Sequence, residues 1–518
     1  MKILLINPPY QTLTSNLGVG HQVPLGLLMV GGALIDAGHE VKLLDAECLG
    51  LEIPTIVNLG RTWAPEIVMT GHAGSTPAHP ICMKLLAALK LACRQVVTVY
   101  GGVYPTYHAE QILREHPCVD FVVRGEGEAT VVQLVSTLEE ATPQKRNDVC
   151  REIGGLAFRD GGEVHFTPPR QPIANLDDYR IGWELIEDWD RYQCFGLGRA
   201  VIIQLSRGCP HRCTYCGQHG FWVRWRYRDP ERVAQELQWL RHTHNVRFVT
   251  LADENPTTLP EVWEGFLRAV ARRNLGLHFF STIRATDIVR DEAILPLYRE
   301  AGLLYILMGV DTTEPRLQRK VRKNSTVAAD RRAAHLLREN RIFAMLGHIV
   351  GFEDDTWRAY WRTLRSLLRY DADFLNAMYV TPHSWTEFAH ECANRCVIQP
   401  DLGKWDYRHQ VLGQKHLRPW QVFLAVKLTE FVFHARPARW TAFFSGSRFQ
   451  QRQLLWCFWH TGLVWFGEIA SFLRTRTLPL AQATRLARFH VHAHGAQSQI
   501  TRSPAQKRPA FAVSKTNG

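Results

Sequence analysis

Between residues 201 and 384, short apolar runs and helical stretches alternate six times, and that alternation limits the fold more than any other feature. The runs fall at 201–205, 246–251, 277–282, 304–309, 343–350 and 374–379, with helical periodicity near 230–243, 260–273, 290–300, 326–339 and 356–368. Parallel strands joined by helices need right-handed crossovers, so six such units either curve into an open barrel or spread as one long doubly wound sheet. The first helix has a written start, Asp229 as N-cap and Pro230 at the first helical position. In both arrangements ligands collect at the carboxyl ends of the strands.

Directly after the first run comes Ser206-Arg207-Gly208-Cys209-Pro210-His211-Arg212-Cys213-Thr214-Tyr215-Cys216. Three thiolates in C-x3-C-x2-C spacing on one loop can hold three irons of a four-iron four-sulfur cube, because soft ligands select iron-sulfur centres or zinc over harder metals. The fourth iron then stays open to chelate a ligand through an amine and a carboxylate and to pass it one electron. A structural zinc ion needs a fourth ligand, which His211 or His219 could supply, so zinc stays open at this point. A disulfide does not suit an odd set of three, nor a start whose apolar run stops at Pro8-Pro9 instead of at a small-residue cleavage site. The other nine of the 12 cysteines are scattered, as small buried hydrophobes are, and a cytoplasmic location is expected.

Residues 1–140 alternate as well, with runs at 2–6, 41–45, 66–70, 96–100 and 121–124 and helical stretches such as 25–37 and 81–93. A parallel sheet covered on both faces follows. Its strand ends read Asn7-Pro8-Pro9, Gly71-His72-Ala73-Gly74-Ser75-Thr76, Gly101-Gly102 and Arg124-Gly125-Glu126-Gly127-Glu128. Glycines at such points let a large ligand approach the backbone. No G-x-G-x-x-G follows the first strand, which disfavours a dinucleotide. His72, His79 and His108 each read as solvated or hydrogen-bonding side chains. Residues 141–200, broken by Gly154-Gly155, Gly161-Gly162 and Pro168-Pro169, read as a connector with a small hairpin between the two units.

Charge divides the chain unevenly. Residues 401–518 carry 17 Lys/Arg against 4 Asp/Glu, a net of +13, while the whole chain has +12. Residues 1–400 are therefore close to neutral, which argues against nucleic acid as their partner; the basic C-terminal part reads by default as solvated charge serving solubility, or as a local anionic contact with a membrane surface or a carboxylated substrate. From 385 onward tryptophans gather among arginines and histidines, and 454–473 is the most apolar run; an amphipathic helix over the barrel mouth, or peripheral to a membrane, is expected.

The cysteine loop, with its C-x-aromatic-C ending, resembles the radical S-adenosylmethionine (SAM) enzymes. The N-P-P, G-G and R-G-E-G-E turns resemble the cobalamin-binding domain attached to many of them. The resemblance implies an α/β fold: a doubly wound, flavodoxin-like cobalamin-binding domain over 1–140, the connector 141–200, a partial (β/α)6 barrel over 201–384, a mainly helical segment over 385–493 and a disordered tail over 494–518. It implies that Cys209, Cys213 and Cys216 ligate a [4Fe-4S] cluster. SAM would be met by Tyr215, Ile349 and Gly351 at the adenine, by Asp253 and Glu254 at the amino group and by Asp311 at the ribose, with Thr282 and Arg284 placed for its carboxylate or for the substrate. Cobalamin would be met by Asn7, Pro8, Gly71, Ser75, Gly101, Gly102 and Glu126; the D-x-H-x-x-G signature is missing, as in this subclass. An external one-electron reductant would drive cleavage of SAM to a 5′-deoxyadenosyl radical. Within that family, residues 218–230, 251–257 and 376–382 resemble the anaerobic magnesium-protoporphyrin IX monomethyl ester oxidative cyclases. That implies a tetrapyrrole substrate, hydrogen abstraction from its propionate ester side chain, oxygen from water, and closure of the isocyclic ring of (bacterio)chlorophyll. His383-Ser384-Trp385 departs from the cyclase pattern. A cobalamin-dependent C-methyltransferase and a non-enzymatic iron-sulfur or cobalamin sensor stay open as alternatives.

Overall fold

A computed structural model describes residues 1–11, 19–72, 76–142, 146–218, 220–437, 443–444 and 446–492. Strands β1 (Lys2–Asn7), β2 (Glu40–Asp45), β3 (Ile67–Gly71), β4 (Val97–Gly101) and β5 (Phe121–Val123) run parallel in the order β2-β1-β3-β4-β5. Strand β1 is buried from Ile3 to Asn7 without alternation, as a strand covered by helices on both faces must be. The strand order reverses between β1 and β3, and a crevice opens at their carboxyl ends.

The hairpin expected between the two units instead joins the first sheet. Strand β6 (Leu156–Asp160) pairs antiparallel with β5, and β7 (Glu163–Phe166) pairs with β6. The physical reason is the open edge of β5, whose ladder groups the hairpin satisfies.

The second sheet begins at β8 (Ala200–Ile203). A short antiparallel ribbon, β9 (Ser206–Arg207) with β10 (Arg226–Tyr227), then brackets the cysteine loop. Strands β11 (Phe248–Leu251), β12 (His278–Thr282), β13 (Leu303–Asp311), β14 (Phe343–Val350) and β15 (Phe374–Tyr379) follow, and the order is β8-β11-β12-β13-β14-β15, all parallel. The order never reverses, so right-handed crossovers carry every helix to the same side and the sheet curls into an open barrel. Helix Pro230–His244 starts as expected: the Asp229 side chain accepts from the Arg232 N–H at 2.8 Å.

Helices Glu387–Glu391, Pro419–Ala435, Arg448–Arg474 and Leu486–His492 dominate the rest, with one small ribbon between β16 (Cys396–Val397) and β17 (Thr484–Arg485). The 27-residue helix Arg448–Arg474 does not close the barrel mouth, which corrects that expectation. Its Leu454 and Cys457 pack under the barrel against Phe248, Tyr305, Phe343 and Phe374, residues at or near the amino-terminal ends of their strands. Tyr305 donates to Gln453 Oε1 at 2.9 Å. That end exposes a ring of aromatic side chains that need cover, whereas the mouth is already faced by the first sheet. Farther on, the helix runs beside Pro419–Ala435: Phe472 stacks on Phe423 with centroids 4.1 Å apart, and Glu468 meets Lys427 and Arg408. Among the described residues no helix is long and apolar enough to cross a membrane. The tail expected over 494–518 lies outside the described residues.

Candidate active site

The cysteine loop is held from three directions. Asp253, at the end of β11, accepts from the Leu205 N–H at 3.1 Å and the Ser206 hydroxyl at 2.6 Å, and Glu254 accepts from the Gly208 N–H at 3.0 Å. Beyond β13, the Val321 carbonyl takes the Thr214 N–H at 3.2 Å. From the C-terminal segment, Trp385 Nε1 donates to the Gly217 carbonyl at 2.8 Å and the Phe388 N–H to the Thr214 carbonyl at 3.0 Å. Gly208 turns the chain into the loop at φ 95°, and a Cβ there would stand 2.5 Å from the Arg224 carbonyl oxygen, so only glycine fits.

Cys209, Cys213 and Cys216 are all half-buried on this loop, and none of the 12 cysteines forms a disulfide. Among the described residues, no three His, Cys, Asp or Glu side chains stand close enough to share one ion. His219 lies outside the described residues. Burial pushes the Cys209 thiol up to about 11, opposed by its backbone hydrogen bond to His211 and then by the Arg284 charge.

On the loop and at the strand ends around it stand buried polar atoms with no hydrogen-bond partner among the described residues: Thr214 Oγ1 on the loop, and Ser281 Oγ, Arg284 Nε and His348 Nδ1 on the strands or just beyond them. Such orphans are costly unless a polar ligand satisfies them, so the residues fit a ligand with ammonium, carboxylate and hydroxyl groups. Tyr215 donates to Asp311 Oδ2 at 2.5 Å, and Lys323 Nζ stands 2.8 Å from the same oxygen. Asp311 adopts left-handed backbone, φ 56°, at the end of β13. Tyr215 and Ile349 pack against one apolar cluster with Phe352, and the Gly351 carbonyl accepts from Arg395 at 3.0 Å. Thr282 ends β12, and Arg284, just beyond it, reaches the carbonyls of Lys323 and Asn324.

Between the carboxyl ends of the two sheets lies a cavity of about 530 Å³. Asn7, Gly71, Gly101, Gly102 and Glu126 line it from the first sheet, Gln204, Arg207 and Glu254 from the second, and Tyr407 from the C-terminal segment. Pro8 follows β1 and Ser75 lies outside the described residues. A Cβ on Gly71 would stand 2.6 Å from the Gly101 carbonyl oxygen, so the cavity floor is bare backbone. That cradle fits a large flat ligand. Glu126 is already engaged: with Glu128 it surrounds the Arg207 guanidinium at 3.3 and 2.6 Å, and Arg226 meets it at 2.6 Å, with all four side chains about 6% exposed or less. This ion network fastens the first sheet to the turn that precedes Cys209.

Of the three histidines near the first sheet, His79 stacks on Tyr104 in the core, and His108 bonds Ser384 at 2.9 Å. His72 faces the cavity, and its Nδ1 has no partner among the described residues. Sequence reasoning missed Tyr407 and His383. Tyr407 Oη lies 2.6 Å from His383 Nε2, and His383 Nδ1 lies 3.0 Å from the Thr76 hydroxyl. Burial pushes His383 down to about 4, so its imidazole is neutral at neutral pH.

Asp253 carries a pH prediction. Burial pushes its carboxyl up to about 7, against the lowering pull of the Ser206 hydroxyl. The folded chain therefore holds a proton that the unfolded chain releases near its ordinary range, and this group's stabilising share is full below about pH 4 and lost as pH rises to 7. Urea unfolding at pH 5 and pH 7.5 should show wild type losing about 2–3 kcal/mol relative to Asp253→Asn across that interval. An equal change in both proteins would remove the assignment.

Residues 203–367 match the radical SAM superfamily and residues 18–135 the B12 binding domain. The chain is 44% identical over 457 residues, 88% of its length and 90% of the relative's, to the anaerobic magnesium-protoporphyrin IX monomethyl ester cyclase of Synechocystis sp.. It is 31% identical over 401 residues, 77% of this chain and 71% of the other, to the protein of the same name from Rubrivivax gelatinosus. Its fold is similar to the solved structure of the cobalamin-dependent S-adenosylmethionine radical enzyme OxsB, with TM-score 0.64 and 16% identity, covering 90% of this chain and 72% of that one.

Proposed function

Because the chain belongs to the family of anaerobic magnesium-protoporphyrin IX monomethyl ester cyclases, which makes it a radical SAM enzyme with a cobalamin-binding domain, we propose that it closes the isocyclic ring on that porphyrin. What supports the reading is the cavity between the two sheets, which sets a bare glycine floor opposite Arg207, Gln218 and Trp222, residues that flank the three cysteines on either side.

Cys209, Cys213 and Cys216 would hold a [4Fe-4S] cluster. Tyr215, Asp311, Ile349 and Gly351, with Thr282, Arg284 and Glu254, would hold SAM, and Asn7, Gly71, Gly101 and Gly102 cobalamin. When bound, the cluster and SAM supply hydrogen-atom abstraction at an unactivated carbon, driven by an external one-electron donor. Asp253 fixes the turn before Cys209 through the Leu205 N–H and the Ser206 hydroxyl, and Glu254 adds the Gly208 N–H to that hold while lining the cavity. The Arg207 network keeps the first sheet over the barrel mouth and limits entry of bulk water. The Tyr407 hydroxyl, held by the neutral His383 behind it, is a hydrogen-bonding group in the cavity wall that can orient a substrate or a water molecule. A peripheral contact with a membrane, into which so apolar a substrate partitions, belongs to the same reading.

The test is anaerobic incubation of the reconstituted protein with magnesium-protoporphyrin IX monomethyl ester, SAM, cobalamin and reductant in ¹⁸O-water, read by mass spectrometry. A ring-closed product carrying ¹⁸O is expected. A methylated product would make the chain a C-methyltransferase, and absence of 5′-deoxyadenosine would leave it a sensor.

A further inference from the structure

Helices Pro419–Ala435 and Arg448–Arg474 lie side by side, and among the described residues nothing covers their outer faces. On the first, Trp420, Leu424 and Phe431 are 53%, 50% and 61% exposed. On the second, Trp459, Leu463 and Phe466 are 67%, 54% and 67% exposed. Helical spacing of three, four or seven residues puts each set in one stripe. Both stripes point away from the body, because the opposite sides of the helices, including Val422, Val426, Leu454 and Cys457, are the buried ones. Between Gln453 and Leu473 the second helix has one Asp, Glu, Lys or Arg, Glu468, which turns sideways to Lys427 and Arg408, and one histidine, His460, whose Nδ1 is 2.8 Å from the Trp456 carbonyl oxygen. The outer face is therefore apolar over roughly 27 Å at 1.5 Å per residue.

We propose that this face is a docking surface for a bilayer containing anionic lipids. Arginines flank the apolar length, Arg448 and Arg452 before it and Arg474 and Arg476 after it, and the segment from 401 onward carries +13 against a near-neutral remainder. Apolar rings with tryptophan at the margin and cations at both ends match the layering of a membrane interface. A second copy fits the face less well, since it would bring two strongly cationic segments together. Among the described residues no helix is long and apolar enough to cross, and the proposed contact has the pair lying in the interface plane. The inference rests on the peripheral contact of the functional reading but involves none of the cavity residues.

The reconstituted full chain should sediment with phosphatidylglycerol-containing vesicles, more weakly with pure phosphatidylcholine, and less at high salt. The double variant Leu463→Glu/Phe466→Glu, folded by circular dichroism, should partition at least about tenfold less while retaining turnover of detergent-dispersed porphyrin. Wild type that ignores anionic vesicles would overturn the proposal. So would a wild-type dimer, seen by light scattering, that the double variant abolishes with no difference in vesicle binding. Vesicle binding without any cyclase product would instead count against the substrate and leave the surface standing.

Discussion

Cys213→Ala is expected to lose the broad thiolate-to-iron absorbance near about 400 nm after anaerobic reconstitution. SAM cleavage to 5′-deoxyadenosine should fall by about three orders of magnitude or more, measured by chromatography under reductant. The fold should survive. The loop backbone is fixed by Asp253, Glu254, Val321, Trp385 and Phe388, whereas the Cys213 thiol itself reaches only the Arg322 carbonyl at 3.8 Å. Circular dichroism like that of wild type, with both losses, separates a missing ligand from a misfolded chain. Retained cleavage by Cys213→Ala would sink the assignment of this loop as the cluster site.

The second large effect is expected at Arg207→Leu. Removing one partner of a buried ionic group leaves the other charges uncompensated, at a cost of about 3–5 kcal/mol. Here the abandoned partners are Glu126 and Glu128, about 6% exposed or less, and Arg226 can answer only the first of them. Urea denaturation should report the loss, with an added early transition if the first sheet releases before the barrel. Arg207→Leu combined with Glu128→Leu should recover part of it, because the unpaired carboxylate goes with its partner. A single variant as stable as wild type would show that the network contributes nothing.

Much of the architecture was legible in the sequence because fully buried parallel strands are short, apolar runs with turn residues at each end. Strands Phe343–Val350 and Phe374–Tyr379 begin and end where those runs do. The cysteine spacing marked the loop, and the polar strand ends marked its surroundings. What stayed hidden depends on long-range pairing. Glu126 and Glu128 look like ligands on a glycine-rich turn, and nothing local announces that Arg207 will occupy them. His383 and Tyr407 stand in a stretch without periodicity, so no pattern distinguishes them from ordinary loop residues. The run at 454–473 was visible as an apolar helix. Which end of the barrel it covers is decided by the aromatic residues that open β11, β13, β14 and β15, and a linear pattern does not tell the two ends of a strand apart.

That position under the barrel has a consequence for how the chain comes to be folded. Phe195 and Trp456 pack with ring centroids 5.8 Å apart, although all six barrel strands lie between them in sequence. During synthesis, every strand leaves the ribosome before the helix that seals their lower ends. The nascent barrel therefore carries an open ring of phenylalanine and tyrosine until residues 448–474 arrive, an apolar surface exposed to association for that interval.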